Sequence, residues 1–288
     1  MKAFDSLHEC EVYLGGTPVL SRFGQVAKVR FGKLKRRLIL DVKQSRVKNG
    51  TRKVHRVPLP RATDVVCDIM DMLHKHPLGT DEQLDLLVLD FVDAFWNVPL
   101  MASERRFFVG KLRSRYFVFL RAAQGSRNGP LAWAGVVSLA IRLVQACLWE
   151  GGECPARINT YVDDPLTVVR GTENRRNNLV ACLVLLFTAL GFPLSFRKGS
   201  RGTSVDWIGL NLSVRPRVVH LTITEARVKE LRDLADEALL HNLVSKKWLK
   251  SFEGKASSFA SILIFWRPFL HSIWAAIYAV PSDGTPQH

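Results

Sequence analysis

Ile158-Asn159-Thr160-Tyr161-Val162-Asp163-Asp164-Pro165-Leu166-Thr167-Val168-Val169 sets two adjacent aspartates between two runs rich in β-branched residues. That pattern predicts a β-hairpin with the acids at its turn. Neighbouring carboxylates repel each other, so a pair aimed at one spot points to a bound cation, while a solvated turn is the plainer alternative. Asp90 tips the balance toward the cation. It closes Leu86-Leu87-Val88-Leu89, a short apolar run that suggests a strand buried on both faces. Three carboxylates at the ends of neighbouring strands suit a hard divalent ion such as Mg²⁺. Two such ions about 3.5–4 Å apart can clamp the attacking and leaving oxygens of a phosphoryl transfer.

The charge distribution points the same way. The formal net charge is +15 over 288 residues, which predicts a polyanionic partner. Between Arg22 and Arg56 thirteen lysines and arginines stand against one acid, Asp41. A local basic face is a better sign of phosphate contacts than a diffuse excess; a solubilising surface or a localisation signal is the alternative. The cysteines are Cys10, Cys67, Cys147, Cys154 and Cys182, an odd number without a CxxC pair. This argues against a disulfide framework or structural zinc site and for a reducing, intracellular setting. No secretory signal opens the chain. Three apolar stretches read as buried helices, with no membrane partner expected: Leu179 to Leu190 is too short to span, Leu131 to Trp149 contains Arg142 and Gln145, and Ala256 to Val280 contains Arg267, Pro268 and His271.

Along the chain, residues before Leu20 carry little signal. Val26 to Phe31 alternates apolar and basic residues as a half-exposed strand does, Gly32-Lys33 can turn it, and Leu38 to Leu40 returns. Ala62 to Leu73 reads as a helix. Phe107 to Val109 and Tyr116 to Phe119 read as strands. Leu131 to Trp149 is a long helix expected to pack beneath the sheet, and Arg175 to Leu190 is a further helix. Lys198 falls in a Gly/Ser-rich loop. From Leu221 the spacing is helical, with Thr222 and Glu225 fitting a capping box.

With these residues in place the chain resembles the reverse transcriptases of retroelements. Tyr161-Val162-Asp163-Asp164 resembles their YxDD motif, and Asp90-Phe91-Val92-Asp93-Ala94-Phe95-Trp96-Asn97-Val98-Pro99 their DxxDAFxxxP motif. Gln124-Gly125 resembles the end of LPQG, with Ala122-Ala123 in place of Leu-Pro. Arg37, Asp41 and Lys43 fit R-x-x-x-D-x-R/K. The likeness runs from about Lys28 to the C-terminus. Pro165 departs from the family, which usually has an apolar residue there.

The resemblance implies an α+β right-hand polymerase. The N-terminal segment and fingers would take residues 1–85. A palm of antiparallel sheet backed by helices would take 86–215, with a fingers return at about 101–123, and a helical thumb with the start of the connection 216–288. It implies RNA-directed DNA synthesis, with dNTPs added to a primer on an RNA or DNA template. Asp90, Asp163, Asp164 and the Phe91 carbonyl would hold two Mg²⁺, with Mn²⁺ as a substitute. Arg37 would grip the triphosphate, Phe95 would be the gate against ribonucleotides, and Gln124 and Gly125 would meet template and nucleotide. Lys198 would protonate the pyrophosphate leaving group, and Trp207-Ile208-Gly209 would grip the primer end. Asp93 would shape the backbone near the triphosphate. The chain would form part of a larger polyprotein with ribonuclease H and integrase or recombinase segments. Two rivals stand beside this reading: an inactive nucleic-acid-binding remnant, which the intact acids oppose, and an RNA-dependent RNA polymerase, which Phe95 and the YxDD form oppose.

Overall fold

The computed structural model describes residues 1–30, 33–52, 55–75, 77–215, 218–241 and 243–279. In chain order its first elements are β1 (Lys2–Phe4), α1 (Leu7–Leu14), β2 (Leu20–Arg30), β3 (Lys33–Asp41), α2 (Val47–Gly50), α3 (Ala62–Lys75) and β4 (Gln83–Phe91). Then come β5 (Val109–Leu112), β6 (Arg115–Val118), α4 (Gly129–Cys147), β7 (Ala156–Tyr161), β8 (Asp164–Gly171), α5 (Glu173–Ala189) and β9 (Leu194–Gly202). The last are β10 (Ser204–Trp207), β11 (Leu210–Arg215), β12 (Val218–Ile223), α6 (Glu225–Leu239), α7 (Lys246–Ala260) and α8 (His271–Tyr278). Short 3₁₀ turns occupy Ala94–Asn97, Ala102–Phe107 and Ile264–Leu270. The chain divides into two compact units, one of Met1–Leu59, Leu89–Pro165 and Asn177–Lys198, the other of Pro60–Val88, Leu166–Arg176 and Gly199–His288.

In the first unit a sheet runs β1-β6-β5-β2-β3. Its longest ladder joins β2 to β3, in register from Arg22↔Asp41 to Arg30↔Lys33. The alternation in the sequence marked β2 only from Val26 onward and β3 only at Leu38 to Leu40; the β2–β3 ladder runs out to Arg22↔Asp41, and Leu20 pairs instead with Val109 of β5. Gly32, expected at the turn, lies outside the described residues. Leu40, Val42, Phe119 and Ala123 are buried under this sheet, with Trp96 stacked on Phe119 at 5.6 Å. The N-terminal residues gave no sequence signal, yet they are ordered locally. The Ser6 side chain accepts from the Glu9 N–H at 3.2 Å to start α1, and Gly15 at φ 65° ends it. The helix seals Cys10 completely, and burial, with the Glu11 charge adding to it, pushes that thiol's pKa up. The first returning strand starts at Val109, because Phe107 belongs to a 3₁₀ turn.

In the second unit β4 pairs antiparallel with β8, from Gln83↔Gly171 to Val88↔Leu166. Alternate residues Leu84 and Leu86 share one core with Leu166 and Val168, with Val65, Ile69 and Met72 from one stripe of α3, and with Val205, Trp207, Leu210 and Leu212. A smaller core joins Leu231 of α6 to Ala256, Phe259 and Ala260 of α7 and to Leu270. The expected capping box of Thr222 and Glu225 does not form. Thr222 lies in β12, and Thr224 is the N-cap residue, its hydroxyl donating to the Gly209 carbonyl at 3.1 Å. A third strand was needed to cover β11, so the chain stays extended to Ile223 before α6 begins.

The four-stranded sheet has the order β7-β8-β4-β9. Helix α4 is long and apolar enough to cross a bilayer by length and composition. Its Trp133, Val137, Ala140 and Val144 face is buried.

Candidate functional site

The β7–β8 hairpin turns on two residues, Val162 and Asp163. Val162 has φ 58°, a value that such turns ordinarily assign to glycine. The backbone N–H of Phe91 donates to the Asp163 carbonyl at 2.8 Å. Continuing the β4–β8 register two residues past Val88↔Leu166 sets Asp90 opposite Asp164, with Cα atoms about 5 Å apart. Thus the alternation Leu84, Leu86, Val88, Asp90 along one face of β4 ends in an acid, which the continued register carries toward Asp164. Asp90 and the adjacent pair Asp163-Asp164, far apart in sequence, are brought by the backbone to one corner of the first unit.

An aromatic platform supports that corner. The Phe91 ring packs edge-on against Trp133 at 5.4 Å and Phe187 at 5.2 Å, and Phe192 lies 5.8 Å from Trp133. The Trp133 indole N–H donates to the Val162 carbonyl at 2.6 Å. Trp133 was expected on a helix, without a role in the site. The signal available was a tryptophan in an apolar run, whose N–H needs a partner once buried. Among the described residues no three His, Cys, Asp or Glu side chains gather into a ready ligand shell. It is the backbone that juxtaposes the acids, and like charge favours keeping their carboxylates apart. The donor set is nonetheless all hard oxygen, three carboxylates and the Phe91 carbonyl, which is the chemistry of Mg²⁺ or Mn²⁺.

The expected nucleotide residues lie in the same unit. Asp93, at φ 51°, starts the 3₁₀ turn, its carbonyl accepting from the Trp96 N–H at 2.7 Å. The turn carries Phe95, half-buried, to the start of α4, where a Cβ added at Gly129 would lie 3.7 Å from its ring. Gln124 and Gly125 are fastened to β3: the Leu40 N–H donates to the Gln124 carbonyl at 3.3 Å. Gly125 has φ 105°, and a Cβ there would come within 3.0 Å of the Leu40 carbonyl, so both conformation and space call for glycine. Arg37 is exposed three residues back along β3 from Leu40, about 10 Å away. Asp41 accepts from the Lys43 and Gln44 N–H groups at 3.2 and 3.0 Å, closing the turn after β3.

The residues after Gly125 bind the chain itself. Arg127 donates to the carbonyls of Lys48 and Thr51 at 3.2 and 3.0 Å, and Asn128 to that of Arg52 at 3.1 Å. A cavity of about 640 Å³ beside them is lined by Arg46, Arg52, Phe107, Ser126 and Asn128 among others, and by none of Arg37, Phe95, Gln124 or Gly125.

Lys198 requires a correction. It lies within strand β9, not in a loop, because the Gly/Ser-rich segment is taken up as an edge strand of the four-stranded sheet. Its side chain lies outside the described residues. The Trp207-Ile208-Gly209 group belongs to the second unit. Trp207 is a core residue, 3% exposed. Ile208 at φ 47° and Gly209 at φ 84° form the two-residue turn between β10 and β11. The Gly209 carbonyl accepts from both the N–H and the hydroxyl of Thr224, tying the turn to the start of α6.

No protein-family model matches the chain, and no curated protein matches it. Among solved structures it is similar to a foamy viral protease–reverse transcriptase in complex with double-stranded DNA, at 14% identity and a TM-score of 0.55, over 89% of this chain and 39% of that one. It is also similar to a foamy viral protease–reverse transcriptase in complex with an RNA/DNA hybrid, at 16% identity and a TM-score of 0.54, over 90% of this chain and 31% of that one. The chain thus spans less than half the length of either. The likeness is one of fold: the chain is built like a reverse transcriptase.

Proposed function

We propose that this chain is the RNA-directed DNA polymerase core of a retroelement, adding dNTPs to a primer 3′-hydroxyl on an RNA or DNA template. The observation that carries the reading is the Phe91–Asp163 backbone bond, which brings Asp90 alongside Asp164. Asp90, Asp163, Asp164 and the Phe91 carbonyl would hold the metal. When bound, two Mg²⁺ ions supply a more acidic primer hydroxyl and neutralise charge on the triphosphate. The chain's own contribution is chiefly positioning. The Arg37 guanidinium offers paired donors to phosphate oxygens. The Phe95 ring fills the space that a 2′-hydroxyl would need. Gln124 and Gly125 present backbone to template and nucleotide, and Lys198 delivers a proton to the departing pyrophosphate. The turn at Ile208-Gly209 grips the primer through backbone, since Trp207 is committed to the core.

In this reading the β2–β3 hairpin and its basic run are fingers, the β7-β8-β4-β9 sheet is the palm, and α6 to α8 begin the thumb and connection. The basic run and the nucleic-acid complexes of the two similar structures support a template–primer partner. A larger polyprotein, with ribonuclease H and integrase or recombinase segments, completes the proposal.

Primer extension on a primed RNA template with Mg²⁺ tests it. The expected result is dNTP incorporation, with NTPs poorly used by the wild type and gained by Phe95→Val. A chain that binds the primed template and never extends it is the inactive remnant. One that prefers NTPs is an RNA polymerase. Either result overturns the proposal.

A further inference from the structure

The acidic turn is held from two sides. The Asp163 carbonyl accepts from Phe91 on β4 at 2.8 Å, and the Val162 carbonyl accepts from the indole of Trp133 on α4 at 2.6 Å. Between them sits a backbone that valine does not choose. Val162 has φ 58°, and a β-branched residue there is a true outlier. Such a conformation persists only where its surroundings over-determine it. Trp133 is well placed to do this. It is fully buried, it is wedged against Phe91 and Phe192, and its rigid ring can deliver its N–H in only one direction.

We propose that Trp133 is a positioning residue for the acidic corner. By fixing the Val162 carbonyl it holds the left-handed turn that sets where Asp163 and Asp164 point. This rests on the polymerase reading for its functional consequence, but not for its geometry. Without the indole N–H, Val162 relaxes toward ordinary valine conformations, the two acids turn with it, and the metal site becomes poorly formed. Nothing in this chain of cause requires Trp133 to touch substrate.

The test replaces the N–H while keeping the aromatic packing. Trp133→Phe is the first variant. The second substitutes 3-benzothienyl-alanine, which has sulfur in place of the N–H at nearly the same shape, and it decides the matter if the phenylalanine variant folds poorly. Amide exchange across residues 161–164 should quicken about tenfold in either variant, while exchange in the remainder of β8 is unchanged. Unchanged exchange at 161–164 overturns the proposal whether or not the protein proves to be a polymerase. In primer extension kcat should fall about tenfold and half-saturating Mg²⁺ should rise, with the dNTP KM within about threefold. The Mg²⁺-induced rise in Tm should shrink in parallel. Adding Val162→Gly to Trp133→Phe supplies a residue that accepts positive φ freely, so it should recover several-fold of the lost rate and bring the Mg²⁺ requirement back down. A double variant no better than Trp133→Phe means the indole only fills space, and the proposal falls. If instead the wild type extends no primer while exchange responds as described, the polymerase reading fails and the positioning role of Trp133 stands.

Discussion

Strand β4 carries Asp85 and Asp90 on opposite faces, and their surroundings differ in kind. Asp85 is 8% exposed and answered by cations from the chain itself, the Arg176 guanidinium at 3.0 Å and that of Arg201 at 2.8 Å. Opposite Leu84, on the other face, Arg170, also buried, donates to the Met72 carbonyl at 3.0 Å and to Glu82 at 3.1 Å. Asp90 is set against Asp164 across the ladder, with Asp163 adjacent. A carboxylate matched by internal guanidinium groups is a structural tie, and removing it leaves buried positive charge. Acids that the backbone brings to one corner repel one another when their carboxylates approach, and a bound cation offsets that repulsion. The same side chain on the same strand is therefore matched by internal cations at one end and brought near other acids at the other.

The largest expected effect breaks the acidic end. Asp90→Asn or Asp163→Asn should lower dNTP incorporation about a thousandfold or more, with template–primer affinity nearly unchanged and Tm unchanged or raised. A primer extended at wild-type rate by either variant would remove the basis of the comparison. The opposite end should respond oppositely. Asp85→Asn leaves Arg176 and Arg201 without their carboxylate, and chemical denaturation should show a loss of about 3 kcal/mol, while incorporation per folded molecule stays within about twofold of wild type. Third, thermal melts with added Mg²⁺ should rise for the wild type, by up to about 2.7 kcal/mol at a hundred times Kd, and should rise far less for Asp163→Asn. An equal rise in both would place the cation elsewhere.

The smallest effect sharpens the structural end. The Gly79 N–H, with Arg170 behind it, holds Glu82 below the usual carboxylate range against an opposing push from burial. Because the folded value lies below the unfolded value of about 4.3, the stabilisation is present above that pH and is lost as pH falls through the folded value. Glu82→Gln should therefore cost about 1 kcal/mol at pH 7, and the difference from wild type should vanish in strong acid. A difference that persists at low pH would mean packing, not charge, ties Glu82 to Arg170.

Legibility in the sequence followed the range of the interaction. The hairpin around Asp163-Asp164 was readable because alternation and turn position are local properties of a few residues. The strand ending in Asp90 was readable from its apolar run. Lys198 was misplaced because an edge strand can be polar and glycine-bearing, so only its neighbour in the sheet defines it. Thr222 was taken for a cap for a similar reason: pairing with β11 outweighed local helical spacing. Trp207, expected with Ile208 and Gly209 at the primer grip, is a core residue, a matter of which side of β10 faces the cluster it shares with α3.

What the sequence determined by itself was the set of acids, their strand-end positions and the basic run, all properties of residue type and near neighbours. What only the tertiary structure decided was register. The Phe91–Asp163 bond and the Trp133 hold on Val162 join residues far apart in the chain. No local pattern encodes such pairings, because they arise when strands and helices bury their apolar faces together and their remaining backbone donors and acceptors must be satisfied in one shared arrangement.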